Sequence, residues 1–227
     1  MLKPFFPYFG SKWRDARYYP APLYDHVIEP FAGSAGYATW HEPAMVSLFD
    51  LDPVLVGVWG YLVGAAESEI LALPDLAVGQ SVDDFRLPQE AKWLIGFWLN
   101  RGSASPKKTR TAYSARIDRQ QLVWGQRARE RIASQVGRIR HWRVYYGSYQ
   151  AAPRVQATWF VDPPYIDKGR YYRVHDVEYD RLGAWCQRLL GQAVVCEQAG
   201  ADWLPFQPFR TTKSTRGTSA EVIWTNA

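Results

Sequence analysis

The stretch of this 227-residue chain best suited to chemistry is Thr158-Trp159-Phe160-Val161-Asp162-Pro163-Pro164-Tyr165. It opens as an unbroken apolar run of β-forming residues, the pattern of a strand buried on both faces of a parallel sheet. Two prolines, neither with an N–H to give to a ladder, end it abruptly. Asp162 then stands at the carboxyl end of a central strand, the edge where open α/β sheets bind their ligands, and a stiff turn presents Tyr165. A carboxylate acceptor, proline carbonyls and an aromatic face, all held rigidly, suit a planar ligand that carries an amino group.

A second constellation lies near the N-terminus. Residues Asp25 to Phe31 read as a short buried strand that runs into Ala32-Gly33-Ser34-Ala35-Gly36, with a helix expected from about Tyr37. Small residues between strand and helix let a ligand approach the backbone at the helix N-terminus, although a tight turn with no ligand has the same composition. The third glycine of a dinucleotide fingerprint is missing, which argues against NAD or FAD. Ala44 to Phe49 form a second strand ending in Asp50-Leu51-Asp52. An acid at that strand end, about 20 residues after a glycine turn, is the usual partner of ribose hydroxyls. Ahead of both strands, Phe5 to Lys12 form an aromatic loop, with a helix expected from about Trp13.

The elements that must position these groups follow from periodicity. Pro53 opens a helix to about Ala66, helical spacing returns over Gln89–Asn100, and a third helix covers Gln120–Gln135. Trp142–Tyr146 is a third strand running into Gly147-Ser148-Tyr149. After the central strand come an amphipathic helix over Glu178–Leu190, closed by Gly191, and a strand at Ala193–Cys196. Phe209–Lys213 and Ala220–Thr225 form a closing antiparallel pair around Ser214–Gly217. Alternating strands and helices of this kind make an α/β protein with a largely parallel sheet.

Charge divides the chain. Its formal net charge is +5 and its pI near 9.2, but residues 101–143 hold twelve basic residues against Asp118 and Glu130, so that segment is +10 and the remainder −5. Local basicity of this kind fits contact with phosphates, whereas a merely solvated helix mixes both signs. The same region is some 50 residues longer than the connection needs, going by typical loop lengths. Length and charge therefore both place a basic insert at 85–140, inside a body formed by 1–84 and 141–227. Eleven Trp and fourteen Tyr are many for this size, and some are expected to stack on flat groups. Apolar runs are too short to span a bilayer and Met-Leu-Lys-Pro is no signal peptide, which points to a cytoplasmic protein with no membrane partner. Cys186 and Cys196 read as buried free thiols, and the scattered His26, His41, His141 and His175 lack ligand spacing, so no metal is expected.

Taken in order, these parts resemble the Dam-type class of DNA adenine-N6 methyltransferases, which use S-adenosylmethionine (SAM). The family's Phe-x-x-Trp-x-Gly-x-Lys is similar to Phe5-Phe6-Pro7-Tyr8-Phe9-Gly10-Ser11-Lys12, and its Glu-Pro-Phe-x-Gly loop to Glu29-Pro30-Phe31-Ala32-Gly33. Its acid after the second strand is Asp50 and its Asp-Pro-Pro-Tyr is Asp162–Tyr165. Leu99-Asn100-Arg101 and the closing Glu221 to Asn226 also match. Departures are Tyr8 for the usual Trp, Ala35 at the family's second glycine, and Gly147-Ser148 where an acid often follows the third strand.

The resemblance implies a Rossmann-like SAM-dependent methyltransferase fold: a mixed seven-stranded sheet with helices on both faces and a small, mainly helical DNA-recognition insert. It assigns catalysis to Asp162, Pro163, Pro164 and Tyr165. The cofactor would be held by Tyr8, Gly10, Lys12, Glu29 and Phe31, with Gly33, Ser34, Gly36, Asp50 and Asp162. Arg101, Lys107, Lys108, Arg110 and Arg116 would contact double-stranded DNA, the protein acting as a monomer or weak dimer. Asp162 and the Pro163 carbonyl would take hydrogen bonds from the target amine, and a flipped base would stack on Tyr165. N4-cytosine or RNA adenine methylation, or a non-catalytic SAM-fold DNA-binding module, are the alternatives. Protein glutamine methylation is disfavoured, because that class resembles Asn-Pro-Pro-Tyr.

Overall fold

The computed structural model of the chain describes residues 1–99, 102–117, 123–167, 169–214 and 217–226. Arg101, the start of the helix expected from Gln120, and Thr215–Arg216 at the expected hairpin tip lie outside the described residues.

A seven-stranded sheet in the order β3-β2-β1-β4-β5-β7-β6 organises the rest. Its strands are β1 (His26–Glu29), β2 (Met45–Asp50), β3 (Arg143–Tyr146), β4 (Ala157–Val161), β5 (Gly191–Gln198), β6 (Gln207–Ser214) and β7 (Gly217–Thr225). The first five run parallel, and β7 is antiparallel to both β5 and β6. This is the mixed sheet of a Rossmann-like methyltransferase fold. Strand β4 is fourth of seven, and every residue of it is buried, as its unbroken apolar run requires. Phe160 faces one core with Phe6, Tyr37, Trp59 and Ile132, while Trp159 and Val161 face another with Ile28, Leu182 and Cys186. The period of two along β4 thus feeds both faces.

The helices are α1 (Gly36–His41), α2 (Pro53–Gly64), α3 (Glu67–Leu71), α4 (Gln89–Leu99), α5 (Ala112–Ile117), α6 (Gln126–Val136) and α7 (Tyr179–Cys186). Helix α2 starts as its sequence dictates, with Asp52 accepting from the Val54 N–H at 2.9 Å and Pro53 in the first turn. Residues 85–140 lie within the β2–β3 connection. Leu94, Ile95 and Trp98 of α4 and Ile132 and Val136 of α6 join the same buried cluster as Phe5, Phe6 and Trp59. This segment therefore shares the core of the body.

Some expectations need correction. No α-helix follows Trp13. A single 3-10 turn at Ala16–Tyr18 stands there, because Asp15 makes no capping bond from its side chain and Pro20 follows closely. Helix α7 stops at Cys186, and Gly191 opens β5 rather than closing a helix. At φ +93° Gly191 crosses so close to β4 that an added Cβ would lie 2.3 Å from the Ala157 carbonyl oxygen. Helices α3 and α5 were not foreseen.

Candidate active site

Four strand ends converge on one cavity. From β1 the chain enters a turn in which Gly33 (φ +49°) and Ala35 (φ +47°, ψ +49°) are both left-handed. Ala35 thus adopts the conformation that the glycine at this position would take freely, and for an L-residue it is strained by about 1–2 kcal/mol. The turn is closed by several contacts. The Gly33 N–H donates to Asp50 Oδ2 at 3.0 Å, its carbonyl accepts from Trp59 Nε1 at 2.9 Å, and Tyr8 packs against the bare face of Gly33. Gly36 is needed for packing as well: a Cβ there would lie 2.6 Å from the Trp13 nitrogen. Glu29 accepts from the Ala38 N–H at 2.7 Å. Burial pushes its carboxyl up to about 8 against that hydrogen bond, with the charge of Asp162 adding to the rise.

At the end of β2, Asp50 Oδ1 takes the Asp52 N–H at 2.8 Å, and burial raises the carboxyl to about 6 against these backbone donors. Asp52 in turn pairs with Arg173 Nε at 3.1 Å, which brings the segment after the Asp-Pro-Pro-Tyr turn over the cavity. Beyond β3, Ser148, Tyr149 and Gln150 line the same space, and the ring of Tyr149 stacks on Phe31 with centroids 5.7 Å apart. Tyr8, Gly10, Lys12, Glu29, Phe31, Gly33, Ser34, Gly36, Asp50 and Asp162 all line this cavity. Sequence reading missed Tyr149, Gln150, Tyr172 and Arg173, which also do so. None belongs to a motif with a local spacing, so only the fold reveals them.

At the end of β4, Lys12 Nζ lies 3.1 Å from Asp162 Oδ1 and 2.9 Å from Glu221 Oε1, and pairs with no further carboxylate among the described residues. The same ammonium stands 4.5 Å from the centre of the Tyr165 ring and 2.5 Å from its hydroxyl oxygen. Tyr165 and Tyr19 both donate to Glu221 Oε1, at 2.5 Å and 2.8 Å. The electrostatics follow. Burial opposes the charge of Lys12, yet Asp162 and Glu221 outweigh it and hold the ammonium well above its ordinary range. Burial pushes Asp162 up to about 6, Lys12 pulls it down, and Glu221 adds to the rise. Glu221 itself sits below its ordinary value, because Lys12 and the Tyr165 hydroxyl outweigh its burial. Asp162, Cys196 and Glu221 bring their ligand atoms within 4.8 Å of one another, a spacing that could hold a metal, but Lys12 already brings its cation to two of the three.

The turn itself is braced. Tyr179 donates to the Pro164 carbonyl at 2.7 Å and Gly169 to the Tyr165 carbonyl at 2.6 Å. The Pro163 carbonyl takes no hydrogen bond among the described residues. Pro164 lines the cavity with Asp162, whereas Tyr165 is turned away toward Lys12 and Glu221.

The basic segment is less free than its charge suggests. Lys108 pairs with Asp83 at 2.8 Å and Arg110 donates to the Leu76 carbonyl at 2.7 Å. Arg129 pairs with Asp75 and Arg138 with Glu42, and Arg140 donates to the Val63 and Gly64 carbonyls at the end of α2, at 2.8 and 2.6 Å. Lys107 and Arg116 stay exposed, Arg116 lying over the exposed ring of Tyr113. The loop carrying Lys107 reaches the rim of the cavity, where the Phe9 N–H donates to the Ser103 carbonyl at 3.3 Å.

No protein-family model matches the chain, and no curated protein does. One solved structure similar to it is "Putative methyltransferase yhhF from Escherichia coli", 9% identical, with a TM-score of 0.36, covering 87% of this chain and 74% of that one. A likeness that weak says nothing of the chemistry, which rests on the site. No helix among the described residues is long and apolar enough to cross a membrane.

Proposed function

We propose that this protein is a SAM-dependent methyltransferase that moves a methyl group to the N6 amino group of adenine in duplex DNA. One observation carries the reading: the Asp162 carboxylate opens onto the same cavity as the left-handed Gly33–Ala35 turn, Asp50 and the Phe31–Tyr149 pair. That lining suits SAM. The aromatic pair offers a face to an adenine ring, Asp50 keeps lone pairs for ribose hydroxyls, and the carboxylates of Asp50 and Asp162 favour a cation.

When bound, SAM supplies a methyl group activated by a positively charged sulfur. Adenine N6 is a poor nucleophile because its lone pair is delocalised into the ring. Two acceptors facing its two N–H bonds localise that lone pair and stabilise the positive charge that grows on nitrogen as the N–C bond forms and the C–S bond breaks. Asp162 is one acceptor, and the Pro163 carbonyl, free of hydrogen bonds among the described residues while that of Pro164 is occupied by Tyr179, is the other. Lys12 and Glu221 keep the Asp162 carboxylate in place. No enzyme nucleophile is required, and both cysteines are buried with their thiols pushed up by burial. The basic loop at Lys107 and the Tyr113–Arg116 pair supply phosphate contacts beside the cavity.

Incubation with labelled SAM and unmethylated duplex DNA, followed by nucleoside analysis, tests the reading. N6-methyladenine supports it. Label in N4-methylcytosine, or in RNA alone, moves the substrate, and binding of DNA without any transfer favours a non-catalytic module.

A further inference from the structure

Segment 12–19 is pinned to the catalytic cluster at both of its ends. Lys12 reaches Asp162 and Glu221, and the Tyr19 hydroxyl reaches Glu221. Between these anchors the backbone turns on itself, with the Asp15 and Ala16 N–H groups donating to the Lys12 carbonyl and Tyr18 to that of Asp15. The turn pushes Arg14 and Arg17 outward into solvent. Tyr18, 48% exposed, is held between two guanidiniums, Arg17 at 4.6 Å and Arg210 at 4.0 Å from the ring centre. Arg210 faces Glu221 across the β6–β7 ladder and pairs with Asp15 at 2.5 Å. Asp15 is the one carboxylate paired with these arginines among the described residues. Outside residues 101–143 the chain is net negative, so two arginines on one exposed tyrosine, with the exposed Arg14 four positions before it, are a local departure from their surroundings.

The topology says where this patch lies. Residues 85–140 leave the sheet on the β2–β3 side of β4, whereas Arg210 belongs to β6 at the opposite edge. Asp162, at the end of β4, stands between them. A duplex that presents one base to Asp162 continues in both directions from it, and the basic loop at Lys107 serves one direction only.

We propose that Arg14, Arg17 and Arg210 form a second surface for the phosphates of duplex DNA, on the other side of the catalytic cluster from residues 85–140. This rests on the DNA reading above. The guanidiniums supply bidentate donors for phosphate oxygens, and Tyr18 fixes two of them in place.

The test is duplex binding across a salt series, for the wild type, the exposed-site double variant Arg14→Ala/Arg17→Ala, and Arg14→Lys/Arg17→Lys. Two lost phosphate contacts lower the slope of log K against log salt by about 1.8. The expected result is that drop in the alanine variant, with the slope restored by lysine. An alanine variant with the wild-type slope, in a wild type that does bind duplex, overturns this surface and leaves the DNA reading standing. A wild type that binds no duplex DNA, or only structured RNA, overturns both.

Discussion

The hydroxyl of Tyr165 donates to Glu221 Oε1 at 2.5 Å, tying the Asp-Pro-Pro-Tyr turn to a strand at the far end of the sequence. The same oxygen takes Tyr19 and Lys12, so one carboxylate fixes the positions of the Asp-Pro-Pro-Tyr turn, the lysine and the N-terminal loop. Asp162 and Glu221 together carry one more negative charge than Lys12 cancels, and that surplus helps to keep Asp162 high.

Replacing Glu221 by Gln keeps an acceptor but removes its charge. Lys12 then acts on Asp162 alone, and the Asp162 carboxyl falls from about 6 toward its ordinary value. On the proposed mechanism methyl transfer requires the Asp162 carboxylate, so kcat/KM of the wild type is expected to fall as pH drops through about 6. In the variant this acid limb lies at lower pH and the plateau rate is down roughly tenfold, about 1.4 kcal/mol of barrier. An unshifted limb in a pH–rate profile contradicts the coupling.

Glu29 links folding to pH. Its folded value, about 8, lies above the ordinary 4.5, so ionisation is harder in the fold than in the unfolded chain. The stability it contributes is fully present below pH 4.5 and is lost as pH rises toward 8, by up to a few kcal/mol. Glu29→Gln retains an acceptor for the Ala38 N–H and removes this dependence. Urea unfolding at pH 5 and pH 8 reads the difference, and equal slopes of stability against pH in both proteins contradict a buried neutral carboxyl.

Ala35 tests the left-handed turn after β1. Ala35→Gly relieves about 1–2 kcal/mol of left-handed strain but loses a buried methyl group and gains unfolded-state entropy, each worth up to about 1 kcal/mol. Thermal unfolding is therefore expected to move little. Ala35→Val, a β-branched residue at φ +47° in a fully buried position, is expected to lose more than about 2 kcal/mol. Equal tolerance of both would contradict the turn conformation.

Much of this was legible where local rules dominate. Strand β4 and its turn follow from an apolar run stopped by two prolines, and α2 from Asp52-Pro53 at its start. Gly33 and Asp50 were each legible at a strand end, but the hydrogen bond between them appears only in the fold. Short α3 and α5 have too few turns for a periodic signal, and the helix expected after Trp13 lost to a turn anchored by Lys12. The basic count between Arg101 and Arg143 overstated the cations available. Arg110, Arg129, Arg138 and Arg140 are drawn into carbonyls and carboxylates that only the tertiary structure brings near. Glu221 was visible as part of a closing motif, but its bonds to Lys12, Tyr19 and Tyr165 span the whole chain and no spacing reveals them.

The most direct test of the central claim compares wild type and Asp162→Asn in single-turnover methyl transfer from SAM to duplex DNA, with SAM affinity measured alongside. Asn keeps the shape of the side chain but replaces the charged acceptor. The predicted result is N6-methyladenine from the wild type, a rate lower by about a hundredfold to a thousandfold in the variant, and SAM affinity within a few-fold of wild type. Transfer at the wild-type rate by Asp162→Asn would contradict the role of Asp162 as the acceptor at the reacting nitrogen.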